Sequence, residues 1–446
     1  MRIEIPRVER PRVSILMVTF GGWDWPMRTL RSVVERTDPV YEVIAVDNAS
    51  PDRTRRWLAE EVAGATVVLH DRNVGFAAAV NRAALEARAP AVCLLNPDVE
   101  VHPGWLPPLL RALEDPRVGA VVPRYLYPDG RLQEAGSVVG REGRSLAIGK
   151  GGDPEDPVHR FPRVVDYGSA ACLVLRRSSF HLVGGLDPVY RPAYLEDVDL
   201  AFALREHGLR TLYEPRSTVV HAGAGSTDDD TRRQLIERNR LIFEERWRRR
   251  LRWRPRWGPT RYKAVALRDL ETPDRLLVLA DAVPGADSRL ERLLTEASLG
   301  WETARVTLMA LDRSGDLQRL LDRGVEVAPA TREELEARLF HASAVLIAGG
   351  EVWERLGAEV LRSQPQAVRI LDAQALEERS ELSGIADAVL CATEEDAERV
   401  RRSAPDAPAV VGGAAEAMAL LGAEPPQLAR PSLIPTDTPP TSTRSR

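Results

Sequence analysis

The sequence predicts an α/β protein built as two doubly wound units in tandem. Two observations lead there. Between residues 13 and 98 four short apolar runs alternate with helical patterns, and a second such series begins at 275. A basic, proline-containing stretch separates the two series. Strands that alternate with helices give mostly parallel sheets covered on both faces.

In the first unit VSILMVTF (13–20) is a continuous apolar run of strand length, followed by a polar loop. YEVIAVDNAS (41–50) is a second, leaving Asp47, Asn48 and Ser50 at its carboxyl end. TVVLH (66–70) is a third, and DRNVGFAAAVNRAALEA after it has the glycine and small residues of a loop opening a helix. AVCLLNPDVEVHPGW gives a fourth, with Asn96 and Asp98 at its tip and a helix from about Trp105. Doubly wound sheets bind ligands in the crevice beyond the carboxyl ends of their strands. Thr19, Asp47, Asn73 and Asp98 share that edge, so one ligand could touch all four. Turn chemistry accounts for any one of them but poorly for the set.

The far end of the unit carries a matching pattern. Glu196, Asp197 and Asp199 stand at a loop-to-helix boundary, and the apolar pair Val219-Val220 ends in His221. Carboxylates at a helix start suit a base that must stay ionised, because the helix dipole favours negative charge there. A histidine closing a β-like run suits a metal ligand or a phosphate contact. Taken singly, an N-cap and a structural histidine are the commoner readings. The partner site at the other end of the unit weighs against both.

These residues belong to a longer resemblance. VTF (18–20), VDNAS (46–50), RNVGFAAAVN (72–81), LLNPD (94–98), GSAACLVLRR (168–177), GGLD (184–187), EDVDLAFALREHG (196–208) and VVHAGAGS (219–226) occur in family order. Over residues 12–245 the chain resembles a family 2 glycosyltransferase with the GT-A fold, most closely the rhamnosyltransferase-like branch. The resemblance implies transfer of a sugar from a nucleotide-diphosphate sugar, with inversion at the anomeric carbon, onto a polysaccharide or lipid-linked acceptor.

Within that resemblance each residue takes a role. The departing diphosphate gains negative charge, so a divalent cation is expected as Lewis acid and template, and hard oxygen ligands suit Mg²⁺ or Mn²⁺. Asp98 is the expected ligand, with His221 covering the pyrophosphate or metal from the other side. The family's Asp-x-Asp motif reads Asn96-Pro97-Asp98 here, and Asn96 can hydrogen-bond ribose or bind through its carbonyl. Asp47 would accept from nucleobase or ribose, with Thr19 and Asn73 near the same nucleotide. Asp197 is the expected general base, Glu196 the second choice, and Asp199 a support for the helix.

Composition sets limits. A charged fraction of 28% and a hydrophobic fraction of 44% are ordinary for globular chains. A net charge of −5 argues against general nucleic-acid binding. Cys93, Cys172 and Cys391 lie in apolar runs without metal spacing and read as reduced core residues. The charged amino terminus lacks an apolar signal region, and no run approaches 18 apolar residues. A cytoplasmic protein is expected, either free or peripheral at the membrane face.

Residues 124–165, rich in glycine, proline and charge, match the family's variable acceptor-side loop, and a solvated surface loop reads equally well. Residues 232–263 are basic and aromatic, helical in period through Leu241 and Phe243 until Pro255. Three readings compete for them: an anionic membrane surface, an anionic acceptor such as a lipid diphosphate, or a helix that closes the unit and snorkels its arginines. The stretch 246–273 reads as a basic linker that lets two units fold separately. Residues 274–424 repeat the strand–helix alternation, giving a second, Rossmann-like α/β unit. It resembles the amino-terminal half of a GT-B glycosyltransferase, notably in ADAVLCATEEDAERVRR, with Gly412-Gly413 where that family has Asn-Gly. The tail 425–446 has the composition of disorder.

Rival classes fit less well. A nucleotidyltransferase needs a basic glycine-rich loop after the first strand, and GGWDWPMR is acidic and aromatic. A catalytically weak nucleotide-sugar-binding scaffold in a polysaccharide assembly complex is the alternative, although Asp98 and Asp197 are both retained.

Overall fold

The computed structural model describes residues 2–223, 228–254, 274–300, 304–339, 342–363, 367–373, 386–403 and 408–412. Most of the expected linker (255–273), the end of the basic segment and the tail 425–446 lie outside the described residues.

The four apolar runs are strands β1 (Val13–Thr19), β2 (Tyr41–Asp47), β3 (Thr66–Leu69) and β4 (Ala91–Leu95). They are parallel, in the order β4-β1-β2-β3, with helices α1 (Asp24–Arg36), α2 (Thr54–Glu61) and α3 (Phe76–Glu86) between them. Every residue of β1, β2 and β4 is buried, so these strands read as unbroken apolar runs.

Past Asp98 the sheet departs from the mostly parallel expectation. It continues through β5 (Val99–Val101), α4 (Leu106–Ala112), β6 (Val118–Leu126), β7 (Leu132–Glu134), β8 (Arg163–Val165), β9 (Cys172–Arg176), α5 (Glu196–Glu206) and β10 (Arg210–His221). The full order is β8-β10-β6-β9-β4-β1-β2-β3, with β5 paired to β10 and β7 to β6. Strand β9 is antiparallel to both its neighbours. Strand β6 ends at the sheet's carboxyl edge, and β9 starts from that same edge, so it must run back. That excursion brings residues 127–171 to the edge where ligands bind. Cys93 and Cys172 lie on β4 and β9, and all three cysteines are buried and free.

Helix α6 (Asp229–Leu251) closes the unit. Its Phe243 and Trp247 pack on Phe202 of α5, with ring centroids 5.0 and 5.5 Å away. Its arginines are engaged at home: Arg240 by Glu237 and Glu244, Arg246 by Asp187 and Asp199, Arg250 by Glu206. In the described half of the basic segment, packing is therefore the reading that fits. The helix also runs past the expected boundary at 245, and Arg254, buried, pairs with Asp166. No helix among the described residues is long and apolar enough to cross a membrane.

The second unit has strands β11 (Asp274–Ala282), β12 (Ala304–Asp312), β13 (Glu326–Pro329), β14 (Ala344–Ile347), β15 (Val368–Asp372), β16 (Ala388–Cys391) and β17 (Ala409–Val411). All are parallel, in the order β13-β12-β11-β14-β15-β16-β17. At the carboxyl end of β11, Asp281 accepts from the amides of Glu351 (3.3 Å) and Val352 (2.7 Å), the start of helix α7 (Gly350–Ser363). The chain's own carboxylate thus fills the anion position at the reversal of strand order.

The two units do not have separate cores. Phe161, from the excursion of the first unit, is fully buried among Leu276, Val306, Leu320 and Val327 of the second. Arg163 and Arg305 approach its ring at 4.8 and 4.9 Å, and Arg160 donates to Gln318 at 2.6 Å. Val158 of the same stretch packs on the second unit as well, so the expected separate units share packing through side chains that no local pattern marks as core. Phe161→Ala should cost about 3–5 kcal/mol in chemical denaturation. A change within the surface range of about 0.5 kcal/mol would mean the contact carries nothing.

Candidate active site

The site is assembled on one backbone segment, residues 168–171, at the carboxyl edge. The amide of Asn96 donates to the Ala171 carbonyl at 2.8 Å, tying the Asn96-Pro97-Asp98 loop to it. The amide of Ala170 donates to Asp197 Oδ2 at 3.1 Å, and that of Ser169 to Glu134 Oε1 at 3.2 Å. The Tyr125 hydroxyl lies 2.7 Å from the Ser169 carbonyl and 2.6 Å from that of Cys172. Three acidic side chains far apart in sequence are so gathered around four residues.

On one side Asp98 faces His221. Nε2 of the imidazole lies 3.5 Å from Asp98 Oδ1, and the amide of Ala222 donates to the Asp98 carbonyl at 3.0 Å. The pairing of β5 with β10 fixes this, because His221 is in register with Val99. The carboxylate oxygen is a donor that suits Mn²⁺ or Mg²⁺, and the imidazole nitrogen beside it could add a second ligand to a transition ion such as Mn²⁺. They supply part of a coordination sphere, leaving positions for diphosphate oxygens and water. No group of three or more His, Cys, Asp or Glu that could hold a metal occurs among the described residues.

On the other side Asp197 opens helix α5. The two preceding residues, Tyr194 and Leu195, have φ of 80° and 71°, a left-handed conformation that costs a non-glycine residue of order 1–3 kcal/mol. Helix α6 holds them there. Buried Asn239 donates to the carbonyls of Tyr190 (2.8 Å), Ala193 (2.9 Å) and Tyr194 (2.8 Å). Asp199, one turn into α5, accepts from Arg246, from the Trp247 indole at 2.8 Å and from the Tyr190 hydroxyl at 3.1 Å. The expected support role of Asp199 is therefore a tie between two helices.

Burial raises all three acidic groups beside the 168–171 segment. Burial pushes the Asp197 carboxyl up, and the amides of Ala170 and Val198 pull it back. Glu196 is driven well above the carboxylate range by burial and then by Asp197, and its Oε2 has no hydrogen-bond partner among the described residues. Burial and the neighbouring Asp197 both work against an ionised Glu196, whereas the amides of Ala170 and Val198 favour an ionised Asp197, so Asp197 is the better placed of the two. Glu134 is pushed up to about 7, first by burial and also by Asp197.

The nucleotide-side expectations divide. Asp47 is fully buried and accepts from the Ser50 amide (3.2 Å) and Arg55 (3.4 Å), while Oδ1 has no partner among the described residues. Thr19 is fully buried, and its hydroxyl donates to the Val46 carbonyl across the strand pair. Asn73 is exposed, and its Oδ1 accepts from Asn48 (2.9 Å) and from the Gly75 amide (2.9 Å), so it shapes the loop into α3. Asn96 is part-exposed beside Asp98. Sequence reasoning missed Gln133, Glu134 and Asn239. The signal for the first two was the Pro128-Asp129-Gly130 turn, which reverses the chain into β7.

With the geometry in place, the comparisons can be read. A model of glycosyl transferase family 2 matches residues 14–180. The N-acetylglucosaminyl-diphospho-decaprenol L-rhamnosyltransferase of Mycobacterium tuberculosis is 30% identical over 272 residues, covering 54% of this chain and 88% of its own length. The chain belongs to glycosyl transferase family 2. An uncharacterized protein, y4gI, of Sinorhizobium fredii is 32% identical over 259 residues, and there the match spans 54% of this chain but only 28% of the relative. The O-antigen biosynthesis protein RfbC of Myxococcus xanthus is 31% identical over 245 residues, which are 51% of this chain and 19% of RfbC. The family match ends at Phe180, short of both Asp197 and His221.

For this family 2 glycosyltransferase the state of Glu134 sets a pH dependence. Between its ordinary value of 4.5 and about 7, the unfolded chain ionises Glu134 while the folded chain keeps the proton. Stability must fall as pH rises through that window and level off above it. Glu134→Gln should remove this loss, so that its advantage in thermal melts over wild type grows across the window. Parallel curves would show that Glu134 titrates normally.

Proposed function

We propose that the first unit is an inverting glycosyltransferase that moves a sugar from a nucleotide-diphosphate sugar to a hydroxyl of a polysaccharide or lipid-linked acceptor. The observation that carries this is the 168–171 segment, which is bonded to both the Asp98 loop and Asp197. A leaving-group end and a base end then flank one donor. Rhamnose is the sugar we favour, from the similarity to the mycobacterial N-acetylglucosaminyl-diphospho-decaprenol L-rhamnosyltransferase.

The donor's nucleotide would lie over the carboxyl ends of β1 and β2, where buried Asp47 Oδ1 needs a hydrogen-bond donor. Asp98 and His221 would hold a divalent cation, which supplies positive charge to the departing diphosphate. Asp197 takes the proton from the acceptor hydroxyl as that oxygen bonds to the anomeric carbon. The bond from that carbon to the diphosphate oxygen breaks on the opposite face, and the electron pair leaves with the nucleotide. Burial and Asp197 both disfavour a charge on Glu196, which limits repulsion against Asp197. The second unit, a degenerate GT-B half in this reading, has no donor site of its own, consistent with Asp281 filling its helix start. It would position the acceptor or a partner enzyme. A lipid-linked acceptor would bring the protein to the cytoplasmic membrane face.

Two experiments test the reading. Asp197→Asn should leave nucleotide binding intact while transfer falls about 10²–10⁴-fold. Turnover above a tenth of wild type would remove Asp197 from the role. Separately, chelator should abolish transfer and Mg²⁺ or Mn²⁺ restore it, with Asp98→Ala more damaging than His221→Ala. Full activity in excess chelator would leave side-chain cations to stabilise the leaving group.

A further inference from the structure

We infer that Gln133 is the positioning residue that fixes the tautomer of His221 and leaves its Nε2 lone pair turned toward Asp98. The inference builds on the proposed metal role of Asp98 and His221, but the hydrogen-bond accounting behind it is independent of catalysis.

Gln133 reaches His221 through an irregularity in the sheet. Tyr125 of β6 pairs with Glu134, and the next residue, Leu126, pairs with Leu132, so Gln133 is the extra residue of a β-bulge. Bulges next to active sites re-aim side chains. Here Gln133 bonds to His221 and its neighbour Glu134 to Ser169. The bulged strand is itself held by the excursion: the Leu132 amide donates to the Gly152 carbonyl at 2.9 Å and the Gly151 amide to the Leu132 carbonyl at 2.7 Å.

Two contacts join Gln133 to His221. Nε2 of the amide donates to the His221 carbonyl at 3.2 Å, and Oε1 lies 2.9 Å from His221 Nδ1. An amide group has one acceptor oxygen and one donor nitrogen. The opposite orientation would set Oε1 against the His221 carbonyl oxygen, acceptor against acceptor. With Nε2 assigned to the carbonyl, Oε1 must meet a donor, and the only one offered is the Nδ1 hydrogen. In the neutral ring Nε2 then carries the lone pair. Its 3.5 Å separation from Asp98 Oδ1 is beyond the ordinary N–H···O range. A lone pair and a carboxylate facing each other repel unless a cation lies between them. An outer amide that holds a ligating imidazole in one tautomer is a recurrent device of metal sites.

The test uses the full-length, metal-free chain with ¹⁵N-labelled histidine, above the pH range where imidazole titrates. The sequence has seven histidines, and His221→Gln assigns the ring of interest. Wild type should show His221 as the Nδ1–H tautomer. Gln133→Met, similar in size but unable to accept from Nδ1, should shift it toward Nε2–H. Titrated with Mn²⁺ alone, Gln133→Met should bind about 10–100-fold more weakly than wild type. Gln133→Glu keeps an acceptor at Nδ1 and should retain the Nδ1–H tautomer. Wild-type His221 found as Nε2–H would overturn the inference, and so would a Gln133→Met variant with unchanged tautomer and unchanged Mn²⁺ affinity. The wild-type tautomer decides the matter even if Gln133→Met does not fold. Wild-type protein with the Nδ1–H tautomer but no Mn²⁺ binding would uphold the role of Gln133 and contradict the metal reading instead.

Discussion

Much of this structure depends on the buried carboxylate of Asp199. It lies one turn inside α5 and receives the Arg246 guanidinium and the Trp247 indole from α6, along with the Tyr190 hydroxyl. Burying an ionised carboxylate is costly unless it is paired and hydrogen-bonded, and α6 provides both. The helix deforms to do so: Trp247 leaves helical geometry at φ −102°, ψ 16°. Once α6 is docked, Asn239 comes within reach of three carbonyls of the loop before α5. That loop then holds two left-handed residues, and Asp197 emerges against the Ala170 amide. The basic helix is in this sense part of the site, although it contributes no reacting group.

The electrostatics of the site follow from crowding. Glu134, Glu196 and Asp197 share a region from which water is largely excluded, and burial raises all three. Asp197 has the amides of Ala170 and Val198 to offset that penalty, while Glu196 is raised further by Asp197 itself. All three carboxyl groups are thus raised, Glu196 by both burial and its neighbour Asp197. Across the 168–171 segment the environment changes character, since Asp98 and His221 bring a carboxylate oxygen and an imidazole nitrogen within 3.5 Å of each other.

How much of this could be read in advance depended on the range of the interactions. The strands β1, β2 and β4 were legible because burial on both faces leaves them mostly apolar, with Ser14, Thr19, Glu42 and Asp47 as the buried polar exceptions. Asp98, Asp197 and His221 were legible because each ends or begins a regular element at the ligand-binding edge. Thr19 occupies that edge too, but whether its hydroxyl faced a ligand or the neighbouring strand depended on a side-chain direction no pattern records. Gln133 and Glu134 lay in a stretch read as acceptor loop, because a three-residue strand with a bulge leaves no periodicity. The antiparallel course of β9 depended on where a long excursion returned, and Phe161 looked like a loop residue until a second unit supplied its surroundings. The second unit buttresses the excursion that carries Gln133 and Glu134, which gives its fused position a physical rationale.

The central claim is that one base, Asp197, faces a departing diphosphate across a single donor. The configuration of the transferred sugar tests it most directly. The product of the purified full-length chain would be examined by NMR for the anomeric configuration of the new linkage, relative to that of the donor. A single direct displacement requires inversion in every turnover. Retention would contradict the account, because it needs either a second displacement or attack from the leaving-group face, and neither fits the role given to Asp197.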